Sequence, residues 1–231
     1  MGKERTDGHG SAQSDRTGQQ QLIERCRRIA TATWSDALDA LAIDGVMQGL
    51  AMRSGRGRVV GAAVTVQEEA AALGSYSIER FDVGGIIQAA PPGAIPVVTM
   101  GGAEVSTFGG LSARAAAQRG IAGIVIDGGC RDIDEIRSTG IYVASRHVTP
   151  RSGKRRINVV AIGDVVTCGG VRVEPGDFVI GDVTGVVVVP VDRLLEALAV
   201  AEQLAGKDRT FENELSAGGE FGSVAARLGH L

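Results

Sequence analysis

Hydrophobic and polar positions are arranged in two different ways along the chain, and the change falls near His147. Before it, the apolar runs RVVGAAVTVQ (58–67), IPVVTM (95–100), IAGIVI (121–126) and GIYVA (140–144) are separated by segments with helical spacing. Short runs that are apolar throughout fit strands buried on both faces, and their alternation with helices predicts parallel βαβ units. LSARAAAQRG (111–120) reads as an alanine-rich helix ended by Gly120, and DIDEIRSTG (132–140) as a second one opened by Asp132 and ended by Gly140. After His147 come INVVAI, DVVTC, VRV, FVIG and VVVVP, punctuated at Gly163-Asp164, Gly169-Gly170, Pro175-Gly176 and Thr184-Gly185. Those turn signals predict antiparallel hairpins.

The two ends are helical or featureless. LIERCRRIATATWSDALDAL (22–41) predicts two short helices, the second opening near Thr33 or Ser35, whose side-chain oxygens can cap free amides. Leu194, Leu195, Leu198 and Ala201 mark an amphipathic helix over about Val191–Leu204, followed by the charged stretch KDRTFENELSAGGE. Residues 1–20 are polar and aperiodic and read as a disordered tail, leaving 21–231 as a single domain with a C-terminal helix.

Composition narrows the function. The chain has 231 residues, 44% hydrophobic, enough to bury a substantial core. A formal charge of −3 gives no overall positive field to draw it onto nucleic acid or an anionic membrane. No segment is apolar for long enough to span a bilayer, and the N-terminus lacks the apolar core of a signal peptide. Three cysteines without a CxxC pair argue against a disulfide framework or a thiolate zinc site and point to a reducing cytoplasm. The 34 glycines against eight aromatic residues make tight turns plentiful and stacking platforms scarce.

The chemistry concentrates in FGGLSARAAAQRGIAGIVIDGGCRDIDEIR (108–137), whose order is glycine turn, helix, apolar strand, second glycine turn, then Arg131-Asp132. In a parallel unit the two glycine turns meet at the carboxyl edge of the sheet, where ligands of α/β proteins sit. Gly109 and Gly110 let an anion approach the free amides of Leu111 and Ser112 at a helix start. Arg131 offers a planar charged fork for a carboxylate, Asp132 a hard oxygen for Mg²⁺ or Mn²⁺, and Glu135 a second acid one helical turn on. Alone, Arg131-Asp132 is only an ion pair at a helix start with Asp132 as N-cap. Cys130 reads as a small packing residue and His147 as a structural or rim residue. The basic run RHVTPRSGKRR (146–156) reads as a solvated loop, or as a recruiter of a multiply anionic substrate, or as a contact for RNA or an acidic partner.

The spacing carries a resemblance. Gly110, the twenty residues Leu111 to Cys130, Arg131-Asp132, two further residues and Glu135 resemble the signature of the 4-hydroxy-4-methyl-2-oxoglutarate / 4-carboxy-4-hydroxy-2-oxoadipate aldolases, a family shared with the regulators of ribonuclease activity A. IAGIVIDGG, VEPGDFVIGD and TGVVVVP are similar as well. The resemblance implies an α/β fold, a β/β/α swivelling-type sandwich, associated as a homotrimer or hexamer. It implies a class II pyruvate aldolase acting on small 4-hydroxy-2-oxo di- or tricarboxylic acids, with oxaloacetate decarboxylation as a side activity. Asp132 would bind the divalent metal, Glu135 act through its waters, Arg131 contact substrate, and Gly109, Gly110, Leu111 and Ser112 seat the pyruvyl carboxylate. A neighbouring subunit would add an acid, for which Glu202, Glu212 and Glu214 are candidates. Leu111 stands where relatives often carry an acid. The other branch of the family implies a non-catalytic regulator of ribonuclease activity acting through protein contacts.

Overall fold

The computed structural model describes residues 9–229. Its helices are α1 (His9–Arg27), α2 (Thr31–Ala40), α3 (Val83–Ala89), α4 (Gly110–Gln118), α5 (Ile133–Thr139), α6 (Leu194–Ser216) and α7 (Phe221–Leu228). The strands are β1 (Val46–Met47), β2 (Ala51–Ser54), β3 (Val59–Ala70), β4 (Ile95–Thr99), β5 (Ser106–Phe108), β6 (Gly123–Cys130), β7 (Tyr142–Val148), β8 (Ile157–Ile162), β9 (Val166–Cys168), β10 (Val171–Val173), β11 (Phe178–Gly181) and β12 (Val186–Val189).

The long strand β3 joins two halves of one mixed sheet. Its first residues pair antiparallel with β11, which continues to β12 and β1. Its later residues pair parallel with β4 and, on the other edge, antiparallel with β8. From β4 the parallel order runs to β6 and β7, and β2 closes that side antiparallel. The expected parallel units and antiparallel hairpins are both present in this mixed α/β fold.

Burial on both faces explains the unbroken apolar runs. All eight residues of β6 are buried. Val125 joins a core with Val97, Ala144, Val171 and Val179, while Ile124 and Ile126 face the other way, toward Ala113 and Ala116 of α4 and Ile136 of α5. The hairpin β9–β10 turns at Gly169 and Gly170, with φ of 57° and 86°, which a residue bearing a Cβ adopts at a cost.

Three terminal expectations change. Residues 1–8 of the polar N-terminal stretch lie outside the described residues, while the remainder, from His9, is part of α1. Gln19, Gln20 and Gln21 there carry unbranched side chains, which lose little freedom in a helix. Second, α2 opens at Thr31, without a side-chain cap of its own. Asp182, in the β11–β12 turn, accepts from the Thr31 N–H at 3.0 Å and from its hydroxyl at 2.7 Å, so a distant carboxylate takes the capping role. Third, α6 runs on to Ser216. Phe211 there packs with Val224 and Ala225 of α7 in a small cluster of its own, which sustains the helix through its charged stretch.

No helix among the described residues is long and apolar enough to cross a membrane.

Candidate functional site

The parallel order sets β5 and β7 on opposite edges of the carboxyl end of β6, at Gly129 and Cys130. Helix α4 leaves β5 through Gly109, and α5 leaves β6 through Arg131-Asp132, so the two helix starts face each other. A side chain would be crowded at both facing positions. A Cβ on Gly109 would lie 2.6 Å from Asp132 Oδ2 and 3.3 Å from Arg131 Nε, and one on Gly110 2.6 Å from Glu135 Cβ. The parallel pairing of β5 with β6 brings Gly109, Gly110 and Arg131-Asp132 to one edge of the sheet.

Asp132 departs from the helix-cap reading. Its φ and ψ are 56° and 49°, the left-handed region, and its carboxylate makes no capping bond to its own helix. It turns instead across the gap, where Oδ2 accepts from the Gly110 N–H at 3.2 Å and stands 3.5 Å from Arg131 Nε. A non-glycine residue held in that region stores strain of about 1 kcal/mol or more, and such strain collects at functional sites. The side chains of Arg131 and Asp132 are each roughly two-fifths exposed, so the pair is available to a ligand and contributes little to stability.

A cleft of about 210 Å³ opens beside the pair. Gly109, Leu111, Ser112, Arg131 and Asp132 line it. Gly110 is buried behind the rim, and Glu135 lies exposed on α5 above it rather than among the lining residues. Ser112 Oγ accepts from the Gly109 N–H at 2.9 Å and fixes the turn. The amides of Leu111 and Ser112 belong to the first turn of α4, where backbone donors have no intrahelical acceptor. Leu111 is 88% exposed, so an apolar residue stands at the mouth.

Phe81, Val83, Thr107, Ser152 and Lys154 also line the cleft, and of these only Lys154 stood out in the sequence, as part of the basic run. Lys154 comes from the basic run, which the fold divides. Arg146 is committed to the buried Asp127, at 2.5 Å, and to the Gln48 carbonyl, and Arg156 donates to the Ser152 carbonyl, while Lys154 reaches the cleft. Cys130 is not a thiolate: burial pushes its thiol up, and its Sγ lies 3.3 Å from Ser145 Oγ. His147 Nε2 sits 3.0 Å from the Gly102 carbonyl, in keeping with a structural role.

Asp132 and Glu135 both border Gly110, but the described residues contain no group of three or more histidine, cysteine, aspartate or glutamate side chains able to hold a metal ion. One or two carboxylates with open sides fit a hard divalent cation that keeps waters and takes ligands from substrate, and do not fit zinc. Glu202 pairs with Arg25 and Glu214 with Arg227, and neither these nor Glu212 line the cleft.

Residues 31–188 match the family described as Aldolase/RraA. The chain belongs to this family. A solved structure from Pseudomonas syringae pv. tomato, of an uncharacterized protein, superposes with a TM-score of 0.80 at 30% identity over 89% of this chain and 96% of that one. Streptomyces coelicolor RraAS2, titled an unusual member of the RNase ES inhibitor RraA protein family, gives a TM-score of 0.73 at 28% identity over 82% of this chain and 97% of that one. A Halalkalibacterium halodurans protein named "Putative 4-hydroxy-4-methyl-2-oxoglutarate aldolase" is 29% identical over 84% of this chain and 89% of its own length. Other relatives are spanned less fully: the chain covers 61% of an uncharacterized Methanocaldococcus jannaschii protein and 29% of Legionella pneumophila DlpA.

Proposed function

We propose that this protein is a divalent-metal-dependent lyase that releases pyruvate from 4-hydroxy-2-oxo di- or tricarboxylic acids such as 4-hydroxy-4-methyl-2-oxoglutarate, and that it also decarboxylates oxaloacetate. The observation that carries the reading is Asp132, held left-handed with its carboxylate turned from its own helix toward Gly110 and Arg131. A mere helix cap needs neither the strain nor the direction.

Asp132, with Glu135 beside it, would hold Mg²⁺ or Mn²⁺. The ion supplies electron withdrawal from the 2-oxo group, which makes C–C cleavage possible at neutral pH. The amides of Leu111 and Ser112 receive the pyruvyl carboxylate at the positive end of α4. Arg131 would neutralise the 4-hydroxyl oxygen, an interaction stronger in the transition state than in the bound substrate, while the hydroxyl proton passes to a water beside Glu135, which returns it to the carbon released as pyruvate. Lys154 supplies a cation for a second carboxylate, and Phe81, Val83 and Leu111 give the carbon chain an apolar wall. Assembly as a homotrimer or hexamer, with an acid from a neighbour among Glu202, Glu212 and Glu214, belongs to the same proposal. So does a cytoplasmic location, which three free buried cysteines fit.

Pyruvate release from a panel of 2-oxo acids, coupled to NADH oxidation by lactate dehydrogenase, tests the reading. Activity with Mg²⁺ or Mn²⁺ that disappears in EDTA is expected, and full turnover after exhaustive chelation refutes the metal role. The likeness to RraAS2 supports a second reading, regulation of ribonuclease activity through protein contacts. Silence across the panel, with tight binding to a ribonuclease complex, selects it.

A further inference from the structure

Glu68, near the end of β3, has no part in the chemistry above, yet it touches the cleft wall. It is 1% exposed. Its Oε1 lies 2.6 Å from Thr107 Oγ1, and its Oε2 has no hydrogen-bond partner among the described residues. Thr107 lines the cleft together with Arg131 and Asp132. One short hydrogen bond therefore joins a buried acid to Thr107, a residue of the cleft wall that is itself 4% exposed.

The direction of that bond depends on the state of the acid. An ionised Glu68 accepts the Thr107 proton and leaves the hydroxyl with lone pairs only for the cleft. A protonated Glu68 donates to Thr107 Oγ1 and frees the Thr107 proton for another acceptor. The half-satisfied carboxyl favours the second arrangement, because a buried carboxylate with an orphan oxygen is costly to hold. Burial pushes this group up to about 7, against the opposing pull of the Thr107 bond, and no charged side chain contributes. Its surroundings agree: β8 sets Val159 opposite Glu68 and Asn158 opposite Glu69, and β5 brings Thr107.

We propose that Glu68 is a positioning residue that turns the Thr107 hydroxyl into a hydrogen-bond donor to an anionic oxygen of the ligand in the cleft. The inference rests on the 2-oxo acid reading of the site. It adds that ligand binding is coupled to retention of a proton two groups away from the ligand.

Oxalate, a planar dianion resembling the carboxylate-and-keto end of a 2-oxo acid, is the probe, titrated calorimetrically with Mg²⁺ present at several pH values. In the unaltered protein, oxalate affinity should fall about tenfold as pH rises through about 7, the loss expected when a hydrogen bond to a charged ligand is withdrawn. Glu68→Gln keeps a donor on the same frame and cannot titrate, so its affinity should stay flat through that range. Thr107→Val should bind about tenfold more weakly at every pH, and Thr107→Ser should restore binding. If the unaltered protein binds oxalate, while Glu68→Gln keeps the wild-type pH profile or Thr107→Val binds unchanged, the inference is overturned and the reading of the cleft stands. If the unaltered protein binds no oxalate at any pH, that reading fails and the inference falls with it.

Discussion

Replacing Glu68 with glutamine should change how the stability of the fold depends on pH, without any ligand present. In the folded protein burial raises this carboxyl from an ordinary 4.5 to about 7, so the native state holds the proton more tightly than the unfolded chain does. A raised acid contributes stability that is fully present below its unfolded value and is lost as pH rises through the folded one. Between those limits the loss amounts to roughly 3 kcal/mol, at about 1.4 kcal/mol for each pH unit. Glu68 is almost completely buried, so little solvent screening reduces that figure. Glutamine does not titrate. Denaturant unfolding followed by circular dichroism, on both proteins in steps from about pH 4 to 8, should show the variant gaining about 3 kcal/mol relative to the parent, most of it between the two values. A difference that stays constant over the whole range refutes the reasoning: Glu68 would then titrate as an exposed acid, its carboxyl solvated in the folded state.

Further outcomes follow from the site and its supports. Asp132→Ala should abolish Mg²⁺-dependent pyruvate release with little change in melting temperature, while Arg131→Ala should lower kcat by about a hundredfold or more with a smaller effect on KM; wild-type turnover in both would remove the pair from the chemistry. Gly110→Ala places a methyl group 2.6 Å from Glu135 Cβ, and displacing α5 should cost about 1–3 kcal/mol of stability together with most of the activity, so unchanged kinetics would show the contact to be soft. Asp182→Ala leaves the Thr31 and Thr184 amides without their acceptor and should cost about 2–3 kcal/mol by equilibrium unfolding. Burial alone would raise the Asp182 carboxyl, but bonds from Thr31, Thr184 and Gly185 outweigh it and hold the group low, so its stabilisation is present above the ordinary carboxylate range and lost as pH falls below it. Burial pushes the Cys26 thiol to about 11 and the Cys168 thiol to about 12, and also raises Cys130, so Ellman's reagent at pH 8 should find no reactive thiol until the protein is unfolded.

Local pattern marked out the parallel units and the hairpins. Unbroken apolar runs mark strands covered on both faces, and glycine-punctuated runs mark hairpins, because burial and backbone freedom act on each residue where it stands. The separation of Gly110 from Arg131 equally determined that two helix starts would meet, since one helix and one strand of a parallel unit fill that interval. Only the tertiary structure decided what the residues there do. Asp132 occupies the N-cap position the sequence assigned it, but Gly110, twenty-two residues away, supplies its partner, and a propensity rule sees only neighbours. Asp182 caps α2 from 151 residues away for the same reason. Lys154 reaches the cleft while Arg146 in the same basic run is spent on Asp127, a division set by which loops pack together. The same holds for Glu68, an ordinary strand-end acid in the sequence, whose proton affinity comes from the sheet folded around it. Charge and hydrogen bonding act through space, and the distances that control them exist only once the chain has folded.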